Sequence, residues 1–563
     1  MTTATAGTMT LFTTDGGARV PEADLWCSYA AVRGLHWLGA VPADPDAVAT
    51  FMASRQNADG GFAWQRGLPS DIWATYYCTQ TLRDLGRPVP HRDALTAWLP
   101  ELRSDGGFGM SPGRPADVWA TYYAARTSTE ILGLPVPDLP GLGRWLASCQ
   151  HDGAGVGWQP GSDQPDVRAG YYAANAWRAV AGDAPVPLHR DGAVRWLRDR
   201  QGPDGGMGFT PGAESCTWAA FRAVRALNAL GATVAGPDAL RRWLAARRLP
   251  GGGYERWDGY GSADVWSCFT VAGTLEVLDG CVGDDPATVE LVRGFQQPGS
   301  GFTYRDPGAA GDSLATAAAL LSLPAGDARA GSLVGWLRAA QLPYEDGVMY
   351  MPGRGAEIRC TLWAAAALAA HDRHLDLSRL RRWLRTLQNV DGGFGYWHGR
   401  GSDLTSTVSA LELAETAGID AATTIDLAAL RRFVDAERAR QPVTLTGTAQ
   451  IARALALLGA TTQAAGLAAT MSGWAGPLGG YSATPRGIPD LLSTYQGVLT
   501  TQVCGAFTDL AALRRLLRKL RTGDGYAWSP LSRDPAGPLA NCLGALLTAT
   551  ADGRLPVLPR LNL

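Results

Sequence analysis

Two helical patterns alternate along the chain. Segments such as DIWATYYCTQTLRDLG (71–86) and DVWSCFTVAGTLEVLDG (264–280) place apolar residues on most faces, which predicts helices buried almost all round. Between them, segments such as SLVGWLRAAQL (332–342) and DLSRLRRWLRTLQ (376–388) are apolar at i, i+3, i+4 and i+7 and carry arginine on the opposite side. Inner helices therefore alternate with outer, amphipathic ones.

The alternation is a repeat. QNADGGFAWQRGLPSDIWATYYCTQTLRDLG (56–86) returns as RSDGGFGMSPGRPADVWATYYAARTSTEILG (103–133) and as QNVDGGFGYWHGRGSDLTSTVSALELAETAG (388–418). An acidic residue at each inner-helix start sets the period: Asp24, Asp71, Asp117, Asp166, Glu214, Asp264, Asp312, Glu357 and Asp403 follow one another at 45 to 50 residues, and Thr446 and Asp490 continue the series. N-capping explains an acid at such a position without any chemistry. Hairpins of this kind bury themselves best as concentric rings. About twelve of them exceed the six or so that close one ring, so the expected fold is all-α, with two α/α toroids. The first is placed at 20–290 and the second at 291–563, with residues 1–19 available to pack on the second.

Composition narrows the function. The chain has 563 residues, 46% of them hydrophobic, with 50 Lys plus Arg against 52 Asp plus Glu and a formal net charge of -2. No basic run stands out, so nucleic acid is not an expected partner. The start lacks a basic and an apolar leader segment, and no 18 apolar residues run uninterrupted, which predicts a cytoplasmic, non-spanning protein. Nine Cys without a CxxC read as reduced thiols, and 70 Gly with 20 Trp suggest many turns around something aromatic.

The run Q-x-x-x-G-x-F at Gln56–Phe62 and Gln388–Phe394, with looser copies at Gln201–Met207 and Gln341–Gly347, resembles the QW motif of the superfamily that contains class II terpene cyclases, squalene-hopene cyclases and protein prenyltransferase β subunits. Two rings without a further bundle look like the βγ arrangement, a double α-barrel, of bacterial class II terpene cyclases. In those enzymes a DxDDTA segment opens a helix, and its middle Asp protonates an alkene or epoxide. The matching segment here is Asp312-Ser313-Leu314-Ala315-Thr316-Ala317, in which Leu314 and Ala315 stand where the resemblance implies the acid and its neighbour.

The resemblance implies protonation-initiated cyclisation of a linear isoprenoid, a prenyl diphosphate or a prenylated metabolite, in specialised metabolism. Asp312 is then the candidate acid, with Asp403, Glu357 or the Glu345–Asp346 pair as its partner. Cationic intermediates need aromatic faces, for which the candidates are Tyr304, Tyr350, Trp363, Tyr396, Trp397, Tyr495 and Trp528. The competing account of such turn aromatics is packing between helices. A diphosphate would meet Arg354 and Arg400, and Mg²⁺ would accompany it. No DxC ligand pair occurs, so no metal site is expected in the protein itself. Two other readings stay open: a non-catalytic toroid that binds an isoprenoid or a protein after losing the acid motif, and an enzyme resembling the protein prenyltransferases.

Overall fold

The structure, a computed structural model, describes residues 10–19, 23–162, 165–209, 214–305, 311–324, 326–343, 345–351, 355–398, 400–440, 444–523, 525–531 and 537–562. Twelve inner helices are seen among them. Six are α1 (Leu25–Trp37), α2 (Ile72–Asp84), α3 (Val118–Arg126), α4 (Val167–Ala181), α5 (Thr217–Ala229) and α6 (Val265–Asp279). The other six are α7 (Ser313–Ser322), α8 (Ile358–Ala369), α9 (Leu404–Thr416), α10 (Leu445–Leu457), α11 (Leu491–Val503) and α12 (Gly537–Ala551). Each helix of a set packs on the next. The last returns to the first, α6 onto α1 and α12 onto α7, so both sets close into rings.

Local chemistry fixes where these helices start. Asp24, Asp71, Asp117, Asp264, Asp312, Asp403 and Asp490 hold extended backbone, and each side chain accepts the N–H three residues on. Two expected starts shift. α5 is capped by the Cys216 thiol, which accepts from Ala219 N at 3.4 Å, while Glu214 two residues earlier is exposed. α10 is capped by Thr444, whose hydroxyl accepts from Gly447 N at 3.1 Å, rather than started at Thr446. The outer helices are amphipathic as expected: in Leu377–Leu387 the buried residues are Leu380, Trp383, Leu384 and Leu387.

The QW-like turn is the joint between repeats. Gly60 has φ +93°, and a Cβ there would stand 2.2 Å from the Ala94 carbonyl carbon of the next outer helix; Gly392 has φ +90° and the same distance to Ala429. Only glycine allows that approach. The motif glutamine reaches the same helix end: Gln388 donates to Asp426 O at 3.0 Å and accepts from Asp426 N at 2.8 Å. The motif phenylalanine then docks onto the inner helix that follows, Phe62 N donating to the Thr75 hydroxyl at 2.9 Å and Asp71 N to Phe62 O at 3.1 Å.

Contacts divide the chain into one unit of Glu22–Trp64 and Pro69–Asp306 and another of Met1–Pro21, Gln65–Leu68 and Pro307–Leu563. The turn joint explains the division. The turn at 296–304 precedes α7 in sequence, yet it docks on α1: Phe302 N donates to the Ser28 hydroxyl at 2.8 Å and Asp24 N to Phe302 O at 3.1 Å. The N-terminal hairpin, Leu11–Phe12 paired with Ala18–Arg19, supplies the missing joint for α7, where Ala18 N donates to the Thr316 hydroxyl at 2.9 Å and Asp312 N to Ala18 O at 3.0 Å. The first ring therefore extends through this turn, past residue 290.

Candidate functional site

The carboxylates expected to act in the second ring are occupied at their own helix starts. Asp312 accepts from Ala315 N at 2.7 Å, in the manner of a cap, and Leu314 and Ala315 are buried in the core. Asp403 accepts from both Ser406 N and the Ser406 hydroxyl at 2.8 Å. Glu357 differs, since its side chain makes no cap bond. It is buried, accepts from the Tyr396 hydroxyl at 3.1 Å and lies 3.7 Å from the Cys360 sulfur. Glu345 accepts from Ala356 N at 2.6 Å, and Asp346 pairs with Arg382.

Beside Glu357, Arg359 stands 5.8 Å from the Tyr396 ring centroid. Burial works against the charge on Arg359, but Tyr396, Cys360, Glu357 and Tyr350 outweigh it and raise its pKa. Burial likewise pushes the Tyr396 phenol well up.

The expected aromatics of the second ring take several roles. Tyr350 is half-buried, and its carbonyl accepts from Ser313 N at 2.8 Å. Trp397 meets Tyr396 edge-on at 5.3 Å, with Arg400 5.5 Å from the Trp397 centroid. Trp528 donates its indole N–H to Gln65. Arg354 lies outside the described residues. Tyr304 is placed differently from the expectation: it stands in the first unit, stacked on Trp26 at 5.8 Å, and its hydroxyl donates to Asp264 at 2.9 Å. The reason is the turn joint, which gives residues 296–304 to α1.

Trp363 and Tyr495 do face the inside of the second ring, and what they meet there is the end of the chain. The Trp363 indole donates to Asn562 O at 3.0 Å and the Tyr495 hydroxyl to Pro559 O at 2.7 Å. Gln496 donates to Leu561 O at 2.9 Å. Asn562 in turn donates to the Ser409 hydroxyl at 3.1 Å and to Thr405 O at 3.2 Å. Leu558, Leu561 and Asn562 are each 1% exposed or less. Close by, Arg453 and Glu412 pair at 2.7 Å with both side chains fully buried, and Arg453 also donates to the Thr500 hydroxyl at 2.9 Å. Where aromatic faces for a substrate are expected, the interior of the second ring thus holds a peptide segment and a buried ion pair.

The first ring carries the aromatic interior. Rings meet across it between helices that are not neighbours: Trp26 and Trp218 at 6.0 Å, Tyr77 and Trp266 at 6.4 Å, Trp37 and Phe221 at 6.1 Å. Neighbouring pairs tighten the wall, with Tyr29 stacked on Tyr77 at 4.1 Å and Trp73 tilted against Trp119 at 4.5 Å. Trp26, Trp73 and Trp119, each two residues after its cap, are half-buried.

Two kinds of polar group sit in that wall. Asp71 is a carboxyl that burial pushes up to about 7, against the pull of the Ala74 and Trp73 amides and the Trp64 indole. Asp264, fully buried, is also raised by burial, opposed by Ser267 and Tyr304. Arg222 lies with its guanidinium 4.9 Å from the Tyr172 centroid and 5.2 Å from that of Tyr171, with no carboxylate in ion-pair reach among the described residues. Burial opposes its charge, yet Tyr172, Tyr171 and Tyr123 raise its pKa. Arg126, by contrast, is paired with Glu130 at 2.7 Å. The sequence carried a signal for this ring in its Tyr-Tyr pairs at 76–77, 122–123 and 171–172. Arg222 falls in the same register on α5, six residues after its cap, where α2, α3 and α4 place the second tyrosine of each pair.

Among curated proteins none matches this chain. Among solved structures it is similar to ent-copalyl diphosphate synthase from Streptomyces platensis, at 17% identity over 93% of this chain and 98% of that one, with a TM-score of 0.37. It is also similar to the type II terpene cyclase MstE from Scytonema, at 15% identity over 45% of this chain and 87% of that one, TM-score 0.33. A third is a protein from Actinoplanes, at 20% identity over 47% and 93%, TM-score 0.33. The model of the prenyltransferase alpha-alpha toroid domain matches residues 7–71, 67–256 and 255–450. With that match running through most of the sequence, and six inner helices closing each ring, the chain belongs to the prenyltransferase alpha-alpha toroid family.

Proposed function

We propose that this protein binds a linear isoprenoid with an anionic head group, such as a prenyl diphosphate, in the interior of its first ring. The observation that carries this reading is Arg222, a cation set among tyrosine faces with no carboxylate in ion-pair reach among the described residues. Arg222 is half-buried, and a bound anion would add a charge-assisted partner to a guanidinium that otherwise meets tyrosines. Trp26, Trp73 and Trp119 supply flat, half-buried faces for the hydrocarbon. Mg²⁺ enters this reading as a counter-ion of the diphosphate. A cytoplasmic setting belongs to the same proposal; among the described residues no helix is long and apolar enough to cross a membrane.

The second reading is protonation-initiated cyclisation, and Asp71 favours it. Its carboxyl, pushed up to about 7, retains a proton near neutrality, and the neighbouring Trp64 and Trp73 rings meet edge-on at 4.6 Å. That combination is what alkene protonation needs. The acid would then be Asp71, and Asp312 a cap. Against it stands Arg222, whose positive charge raises the energy of any carbocation formed nearby.

One experiment separates the two. The protein is incubated with geranyl, farnesyl and geranylgeranyl diphosphates, products are analysed with and without phosphatase, and binding is measured calorimetrically. Tight binding without conversion, with Arg222→Leu lowering affinity for farnesyl diphosphate about tenfold or more while affinity for farnesol is unchanged, supports the first reading. An equal loss for both ligands sinks it. A cyclic product that survives in Asp312→Asn and vanishes in Asp71→Asn establishes the second.

A further inference from the structure

The C-terminal segment occupies the second ring as a ligand would. α12 ends at Ala551, the chain turns at Gly553 with φ +74°, Pro556 and Val557 are exposed, and residues 558–562 then run inward. Pro556 and Pro559 keep this stretch out of helix and sheet ladders. Its hold is made by side chains of other helices: Trp363 of α8, Tyr495 and Gln496 of α11, and Ser409 of α9. The ring does not need the segment to close, because α12 already packs on both α11 and α7.

The fit is also incomplete. Gln496 Oε1, against the segment, and Arg560 Nη1, within it, are buried with no hydrogen-bond partner among the described residues, as are atoms elsewhere in the molecule such as Tyr76 Oη. Leu558 and Leu561 join the ring's hydrophobic core, while these two polar atoms of the contact stay unpaired.

We propose that residues 558–562 form a detachable plug, which occupies the interior of the second ring and leaves it by local release while the six helices stay folded. The plug is a property of the second ring and is independent of what the first ring binds. Its release turns Trp363, Tyr495 and Gln496 from partners of the segment into donors facing an open interior.

Hydrogen–deuterium exchange on the full chain tests this, with peptides covering 555–563 followed against those covering α8 to α11. The expected result is that the segment amides exchange about a hundredfold or more faster than the helices, through opening that leaves helix protection unchanged. Asn562→Ala, which removes side-chain bonds to Ser409 and Thr405 and leaves Leu558 and Leu561 packed, is expected to speed segment exchange about tenfold with helix exchange unmoved. If the segment exchanges only together with the helices, the plug is part of the core and the proposal falls. It falls equally if Asn562→Ala loosens segment and helices in proportion. Leu561→Ala is the second variant: a folded protein with selective release supports the plug, and a protein whose ring is lost overturns it.

Discussion

The two rings are built from the same repeat and filled by different means. Five and six residues after each cap, the first ring has Tyr76–Tyr77, Tyr122–Tyr123 and Tyr171–Tyr172, whose rings meet within the wall. At the same register three helices of the second ring have Ala317–Ala318, Val408–Ser409 and Ala449–Gln450, while α8 and α11 have Leu362–Trp363 and Tyr495–Gln496. The smaller side chains on those three helices leave room, and in this chain the segment 558–562, held by Trp363 and Tyr495, and the Arg453–Glu412 pair take it up. The comparison teaches that the turn and cap chemistry of a repeat sets the ring, while side-chain volume at two positions decides what lies inside.

The largest effect is expected from breaking the ion pair of the second ring. Arg453→Met strands Glu412, which is fully buried, and is expected to cost about 3–5 kcal/mol in denaturant unfolding. Adding Glu412→Leu removes the stranded charge, and a double variant that recovers most of the loss confirms the assignment. Tyr76→Ala opens the matching layer of the first ring, where Tyr76 is fully buried, at a similar or slightly smaller cost of about 3 kcal/mol. Val408→Ala at the same register of the second ring is expected to cost only about 1 kcal/mol, and equal losses at the two sites would erase the contrast drawn here.

The most gradual effect, spread over several pH units, is in pH dependence. Burial pushes Asp71 up to about 7 and Asp490 up to about 6, one carboxyl in each ring. A carboxyl raised this way keeps in the folded chain a proton that the unfolded chain has released. Stability contributed by protonation is present in full below pH 4 and is lost as pH rises through 6 to 7, with a slope of at most about 1.4 kcal/mol per pH unit for each group. Asn preserves the cap at both positions. Unfolding measured between pH 4 and pH 8 is therefore expected to show a flatter slope in Asp71→Asn, with loss confined to the range below about 7, and a smaller flattening in Asp490→Asn.

Much of the ring architecture was legible because it is written in local rules. Asp71, Gly60 and Phe62 announce a cap, a close approach and a joint, and the same three types recur at Asp403, Gly392 and Phe394. Glu214 and Thr446 were misread because nearby residues, Cys216 and Thr444, offer side chains that serve as caps equally well. Tyr304 was misplaced because a turn next to α7 in sequence docks on α1, and nothing local records which helix a turn will meet. Asp312 matched a motif position, but the motif says nothing of where the carboxyl points, and here it bonds back to Ala315.

The sequence by itself determined the period, the helix starts and the all-α hairpin, since capping, glycine backbone freedom and amphipathic spacing act over a few residues. Only the tertiary structure decided that the first ring closes with a turn from residues 296–304, that Arg222 stands among tyrosines with no carboxylate in ion-pair reach among the described residues, and that residues 558–562 lie inside the second ring. Those outcomes depend on volume and charge brought together from distant parts of the chain, where no local preference acts and packing selects the partner.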